Sequence, residues 1–258
     1  MKKGLALSFA VALATVALGA QGKVLVAAAS NLGVIAPALA SAFEWNYPGN
    51  TVEFTFGASG ALAAQLLNGA PFELFLSADT AMPQRLVEAR LTEGPVRVYA
   101  LGSLIFLTTR KLDLAKGLAV LLDPALAQVA ISNPETAPYG LAARQALVKA
   151  GLYEALRSRL VTGQNVTQTL QFTLSSVDGG FVNKSALAAK EVAPFDVEGR
   201  YWFAVDPALY EPIMQGFVVM KGSLARPSVR AFAAFLSSSQ ARAVFASFGY
   251  GPPAAGFP

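Results

Sequence analysis

The sequence predicts an α/β protein. Short apolar, β-branched runs alternate with stretches of helical periodicity, and that order repeats along the chain. Small or neutral-polar residues stand where the runs hand over to helices. Residues 23–28 read as a buried strand, and Leu32, Ile35, Leu39 and Phe43 then mark one face of a helix. Residues 51–56 alternate their apolar side chains, and the helix that follows, from about 60 to 68, stops at Gly69 and Pro71. Residues 72–76 form another strand and 80–90 another helix. This order argues for a parallel, doubly wound sheet.

The pattern restarts after Gly102. Residues 104–108 and 129–131 read as strands, helices follow Pro138 and Asn165, and residues 179–182 make a further strand. Residues 216–220 precede two helices striped by Val229, Phe232 and Leu236 and by Val244 and Phe248. The roughly 236 residues that follow the first 22 exceed a usual single core, so two lobes are expected. No Pro/Gly/Ser-rich linker separates them. Strand-like crossings near 100–102 and 201–206 are expected instead, giving a first lobe of 23–101 plus 206–258 and a second of 102–205.

Residues 1–22 have the make-up of a secretory signal. Lys2 and Lys3 precede an apolar run, 4–18, that ends in the small residues Gly19 and Ala20, with cleavage expected after Ala20 or Gly22. The run is short for a membrane span. No cysteine follows it to carry a lipid, so the mature chain is expected to be free outside the cytoplasmic membrane. Without the two lysines the formal charge falls from +4 to +2, which argues against nucleic-acid or membrane-surface binding. With no cysteine and no histidine, thiolate chemistry, disulfides, Cys-ligated metals and every Ser-His-Asp triad are excluded.

Four strand-to-helix junctions concentrate the signal: Ala27 to Asn31, Gly57 to Gly60, Asn133 to Gly140, and Gly163 to Gln168. A helix N-terminus exposes backbone N–H groups and about half a positive charge, so it receives an anion without a cationic side chain. In open α/β sheets ligands bind at the carboxyl ends of strands, where these junctions fall. Ser30 and Ser59 add hydroxyl donors. Asn165 followed by Gln168 resembles a capping box, which leaves the Val166 N–H unclaimed. Any one junction by itself reads first as an ordinary helix cap, worth about 1 kcal/mol; what shifts the balance towards a site is the set of four, two in each expected lobe.

At these residues the chain resembles the periplasmic molybdate-binding proteins of ABC transporters. The likeness runs through Ala28-Ala29-Ser30-Asn31, Gly57-Ala58-Ser59-Gly60 and residues 69–79, then Asn133-Pro134, Ala137-Pro138-Tyr139-Gly140, Gly163-Gln164-Asn165-Val166 and Gly180-Phe181-Val182. The family implies the type II periplasmic-binding-protein fold, two lobes that are each a mixed, mostly parallel sheet flanked by helices. It implies a monomeric carrier rather than an enzyme, closing on molybdate or tungstate for delivery to a membrane permease. No cofactor is implied, and no direct bond from protein to metal, because the metal arrives inside its oxyanion. Matched motif by motif, the ligand shell comprises Ser30 and Ser59, with Asn31 nearby, and Tyr139 and the Val166 N–H from the second lobe. One branch of the family places a tyrosine where Asn183 stands; Tyr139 is the other branch's solution, and the role of Asn183 is left open.

A fully deprotonated oxyanion only accepts hydrogen bonds, so donors alone satisfy it. The hydroxyl of hydrogen phosphate would go unpaired, at about 1–3 kcal/mol. Glu135, the acidic residue nearest a junction, is therefore expected to point away. Sulfate has the same charge and shape and is the alternative ligand. A carboxylate carrier would want an arginine fork, and none of the four junctions carries an arginine; Arg144 stands four residues past Gly140. A serine hydrolase using Ser59, or Ser185 with Lys184 or Lys190, is the remote alternative from another class.

Overall fold

The computed structural model describes residues 22–253, so the expected signal segment lies outside the described residues but for Gly22. Among the described residues ten strands form two five-stranded sheets. The first contains β1 (Gly22–Ala29), β2 (Asn50–Gly57), β3 (Leu74–Leu76), β4 (Arg97–Gly102) and, from far along the chain, β10 (Ile213–Val219). The second contains β5 (Leu104–Leu107), β6 (Val129–Ser132), β7 (Leu160–Gly163), β8 (Gly179–Asn183) and β9 (Trp202–Ala204). Their orders are β2-β1-β3-β10-β4 and β7-β6-β8-β5-β9.

Both sheets are mixed, for one reason. Where a helix returns the chain to the starting edge, the strands run parallel: β1 with β2 and β3, and β6 with β7 and β8. Strands that carry the chain between the sheets need no such crossover and pair antiparallel: β10 with β3 and β4, and β5 with β8 and β9. One passage is Ser103, between β4 and β5; the other is residues 205–212, between β9 and β10. β9 falls within 201–206 and still pairs with β5.

Among the described residues eight α-helices cover the sheets: α1 (Ala36–Asn46), α2 (Ser59–Leu67), α3 (Ala81–Glu88), α4 (Pro138–Lys149), α5 (Tyr153–Leu156), α6 (Val166–Ser175), α7 (Pro227–Leu236) and α8 (Ser239–Ser247). Successive Cβ atoms of a strand point to opposite faces, and β1 is apolar on both. Val24, Val26 and Ala28 pack with Leu39 and Phe43 of α1 and Phe232, Phe235 and Phe245 of α7 and α8. Ala27 packs on the other side with Leu62 and Leu66 of α2, Phe75 and Leu86. Phe43 meets Phe232 edge to face at 5.0 Å, and truncating a buried phenylalanine of this kind costs about 3–5 kcal/mol. A separate core around Ile105, Phe106, Leu147, Phe181 and Trp202 holds the second sheet.

This packing fixes where the helices begin. Ala29 pairs with Gly57, and Ser132 with Gly163, so neighbouring parallel strands end level. The segments that follow start side by side at the carboxyl edge of each sheet: Ser30 and Ser59 in the first, Pro138 and Val166 in the second.

Candidate functional site

The two carboxyl edges face each other across a cavity lined by Ser30, Asn31, Ser59, Tyr139 and Val166, all five residues expected from the sequence. The rest of the lining is small or backbone-rich: Ala29, Gly57, Ala58, Ala78, Ala137, Pro138 and Asn165. The cleft is tight. Its free volume is about 10 Å³, which suits a single compact ligand.

No charged side chain is among the lining residues. Glu135 is exposed and paired with Arg144 at 2.7 Å, so both charges nearest the third junction satisfy each other at the surface. Asp79 follows Ala78, but its Oδ1 accepts from Ser77 Oγ at 3.0 Å and from the Met82 N–H at 2.9 Å, at the start of α3. Burial pushes the Asp79 carboxyl up, against those two hydrogen bonds.

Donors remain, and the fold sets each one. N–H groups in the first turn of a helix have no acceptor within it; Ser30 opens a 3₁₀ turn, Ser59 opens α2 and Val166 opens α6. Asn165 caps α6 by accepting from the Gln168 N–H at 3.0 Å, which leaves Val166 unclaimed. Gln168 reaches back to the Gln164 N–H at 2.7 Å, one residue before the position a capping box would use. Ser59 Oγ accepts from the Ala78 N–H at 3.1 Å, so its own hydrogen is spare. The Tyr139 hydroxyl accepts from Gln215 Nε2 at 3.1 Å and likewise keeps its hydrogen. Burial, with Tyr250 and Tyr99 nearby, holds that phenol well above its ordinary range, so it stays a donor.

Asn31 and Asn183 take roles that their types alone do not reveal. Asn31 Nδ2 donates to Gln215 Oε1 at 2.9 Å and to Tyr250 OH at 2.8 Å. Both amide hydrogens are then spent, and what Asn31 can offer a ligand is its backbone N–H. Its Oδ1 is buried without a partner among the described residues. Asn183 is outside the lining; its Nδ2 donates to Ser185 Oγ at 2.6 Å and, at 3.4 Å, to the Asn31 carbonyl. Ser185 Oγ lies 3.0 Å from Tyr250 OH, while Lys184 sits over the Trp202 ring at 5.6 Å. Asn183, Ser185 and Tyr250 thus brace the Asn31 loop. Sequence reasoning missed Gln215, Tyr99 and Tyr250; the one signal for Gln215 was a polar residue just ahead of an apolar run.

Two further bonds cross the cleft directly. The Gly60 N–H donates to the Thr136 carbonyl at 2.9 Å, and Thr167 Oγ1 donates to the Ser30 carbonyl at 3.4 Å.

Comparison with known proteins gives the chain relatives. The family model for bacterial extracellular solute-binding proteins matches residues 24–251. The molybdate-binding protein ModA of Azotobacter vinelandii is 35% identical over 255 residues, covering 95% of this chain and 99% of its own. ModA of Rhodobacter capsulatus is 35% identical over 235 residues, covering 90% and 89%. The solved structure of the Azotobacter vinelandii periplasmic molybdate-binding protein superposes with a TM-score of 0.82 at 31% identity, covering 89% of this chain and 99% of that one. The chain therefore belongs to the bacterial extracellular solute-binding protein family.

Proposed function

We propose that this protein captures molybdate outside the cytoplasmic membrane and delivers it to the permease of an ABC transporter, as a binding protein and not an enzyme. One observation carries the reading: helix starts and hydroxyls from both sheets converge on a small cavity lined by no charged side chain. Ser30 and Ser59 offer hydroxyls and backbone N–H groups, Asn31 its backbone N–H, Tyr139 its phenol and Val166 its backbone N–H. Tungstate, of like charge and shape, is bound as well. The protein works as a monomer, with lobes of 23–101 plus 206–258 and of 102–205 that close about the two crossings, and the permease reads the closed form.

Hydrogen bonds to a charged group contribute about 1.5–3 kcal/mol each, so four or five give about 6–15 kcal/mol gross. About 8 kcal/mol corresponds to 1 µM, which leaves room for the cost of ordering the lobes. Isothermal titration of the purified chain with molybdate, tungstate, sulfate and phosphate at neutral pH tests the proposal. One-to-one binding of molybdate and tungstate, with sulfate at least about a hundredfold weaker (about 2.7 kcal/mol), is expected. Sulfate binding with molybdate and tungstate silent would keep the architecture and change the ligand; no heat from any anion would reduce the junctions to helix caps.

A further inference from the structure

The amide of Gln215 lies outside the cavity yet meets residues from both sides of it. Gln215 is fully buried on β10, at a bulge where the pairing with β4 slips between Gln215 and Gly216; such bulges re-aim side chains. Its Oε1 accepts from Asn31 Nδ2 at 2.9 Å and lies 3.1 Å from the Tyr99 hydroxyl, whose single hydrogen also has the Ser77 carbonyl at 2.9 Å, and its Nε2 donates to Tyr139 OH at 3.1 Å. Asn31 and Tyr99 sit with the first sheet, and Tyr139 is the second residue of α4, on the second.

The direction of these bonds follows from their neighbours. Tyr250 spends its hydrogen on the Asn31 carbonyl at 3.0 Å, so its oxygen is left to accept from the Asn31 amide. The nitrogen of Asn31 that serves Tyr250 also faces Gln215, which makes the facing Gln215 atom the oxygen. The Gln215 nitrogen must then point at Tyr139. A phenol that accepts there keeps its single hydrogen for another partner. Gly102, the last residue of β4, makes the room: a Cβ there would overlap the Tyr139 hydroxyl and stand 2.6 Å from Gln215 Nε2.

We infer that Gln215 is a positioning residue for anion capture, holding the Tyr139 hydroxyl as an acceptor so that its hydrogen is aimed at the bound oxyanion, and joining that second-lobe donor to the Asn31 loop of the first. This rests on the oxyanion reading. Gln215 touches no ligand; it acts through Tyr139.

A double-mutant cycle on the full chain tests the inference, with molybdate titrated into the wild type, Gln215→Met, Tyr139→Phe and the double variant. Methionine keeps the length and apolar stem and removes both amide functions. Gln215→Met should weaken binding by about tenfold in the wild type and by less than about twofold when Tyr139→Phe is already present. An equal loss in both backgrounds would make Gln215 an ordinary core residue and overturn the inference, as would unchanged affinity in Gln215→Met. If Gln215→Met does not fold, Gly102→Ala disturbs the same contact from β4 and should show the same dependence on Tyr139. Wild-type protein that ignores molybdate would overturn the oxyanion reading and this inference with it, whereas wild-type binding with uncoupled losses overturns the inference alone.

Discussion

Replacing Gly60 with alanine inserts a methyl group between the lobes. Gly60 is the second residue of α2, and a Cβ there would stand 3.1 Å from Thr136 Cα and 3.2 Å from the Thr136 carbonyl oxygen of the opposite lobe. Carbon atoms rest about 3.5–4.0 Å apart. The lobes must therefore part by a few tenths of an ångström, or the 2.9 Å bond from the Gly60 N–H to Thr136 must distort. Overpacking by one methyl group costs about 1–3 kcal/mol, and here the cost falls on the closed form alone. In the open form alanine gains up to about 1 kcal/mol, because it is the better helix former. The dissociation constant for molybdate should rise about 5- to 150-fold, the range that 1–3 kcal/mol spans. The ligand-free melting temperature should stay level or rise by about 2–4 °C. Titration calorimetry reads the first and scanning calorimetry the second. Undiminished affinity would refute the closed-cleft geometry, and a lowered ligand-free melting temperature would show that the contact with Thr136 already holds the empty protein together.

Ser59→Ala removes the acceptor of the Ala78 N–H and the hydroxyl proposed to donate to the anion; titration should show a loss of about 1.5–3 kcal/mol, roughly ten- to 150-fold, and equal affinity would remove Ser59 from the site. Val166→Pro deletes one N–H at a first helical position where proline fits, after an Asn165 already extended at φ −153° and ψ 176°. Affinity should drop by about tenfold or more with little change in helix content by circular dichroism, and unchanged affinity would dismiss the backbone donor. Sulfate affinity, for whatever sulfate binds, should be flat from about pH 6.5 to 9, because Tyr139, the titratable residue in the lining, keeps its proton throughout; a titration midpoint inside that range would reveal a charged group at the site. Burial raises the folded-state pKa of Asp79, so the unfolded chain releases this proton first as pH rises. The stability this group contributes is present below the ordinary aspartate value of about 3.9 and is lost as pH climbs towards the higher folded value. Asp79→Asn keeps the Oδ1 acceptor and should raise the melting temperature at pH 7 more than at pH 3; an equal shift at both would refute the assignment.

What the sequence made legible is what local pattern encodes. The helices α1, α2 and α6 and the strands β1, β2 and β8 were readable because apolar spacing and a nearby cap or glycine agree. Ser30, Ser59 and Val166 could be reached by asking which strand ends meet a helix start. Tyr139 could not, since an aromatic after a proline has many uses; the family resemblance supplied it. The strand β7 (Leu160–Gly163) was implied only by the junction it leads into, and β9 (Trp202–Ala204) was read only as a strand-like crossing, because four and three residues carry no period and their conformation comes from pairing with β6 and β5. The brace of Asn183, Ser185, Tyr250 and Gln215 was illegible for a deeper reason. Its members are up to 152 residues from their partners in some pairs and 219 in others, and an amide or hydroxyl in a strand announces nothing about which partner it will meet.

Neutral donors settle which protonation state enters but not which size. Ser59 Oγ and the Tyr139 oxygen each already accept one protein hydrogen and keep their own hydrogens to donate, so a ligand hydroxyl that meets only these donors goes unpaired and loses about 1–3 kcal/mol. Sulfate escapes this filter and differs from molybdate in radius. The separation of the two donor sets must then do the sorting, and Gly60 against Thr136 and Thr167 against Ser30 are among the contacts that fix it. A spacer a few tenths of an ångström longer should penalise the smaller anion more, because its oxygens can no longer reach both lobes at once. The Gly60→Ala protein should therefore lose more affinity for sulfate than for molybdate, widening the ratio between them. A ratio that narrows would mean that the first lobe alone measures the ion, and that closure follows recognition without contributing to it.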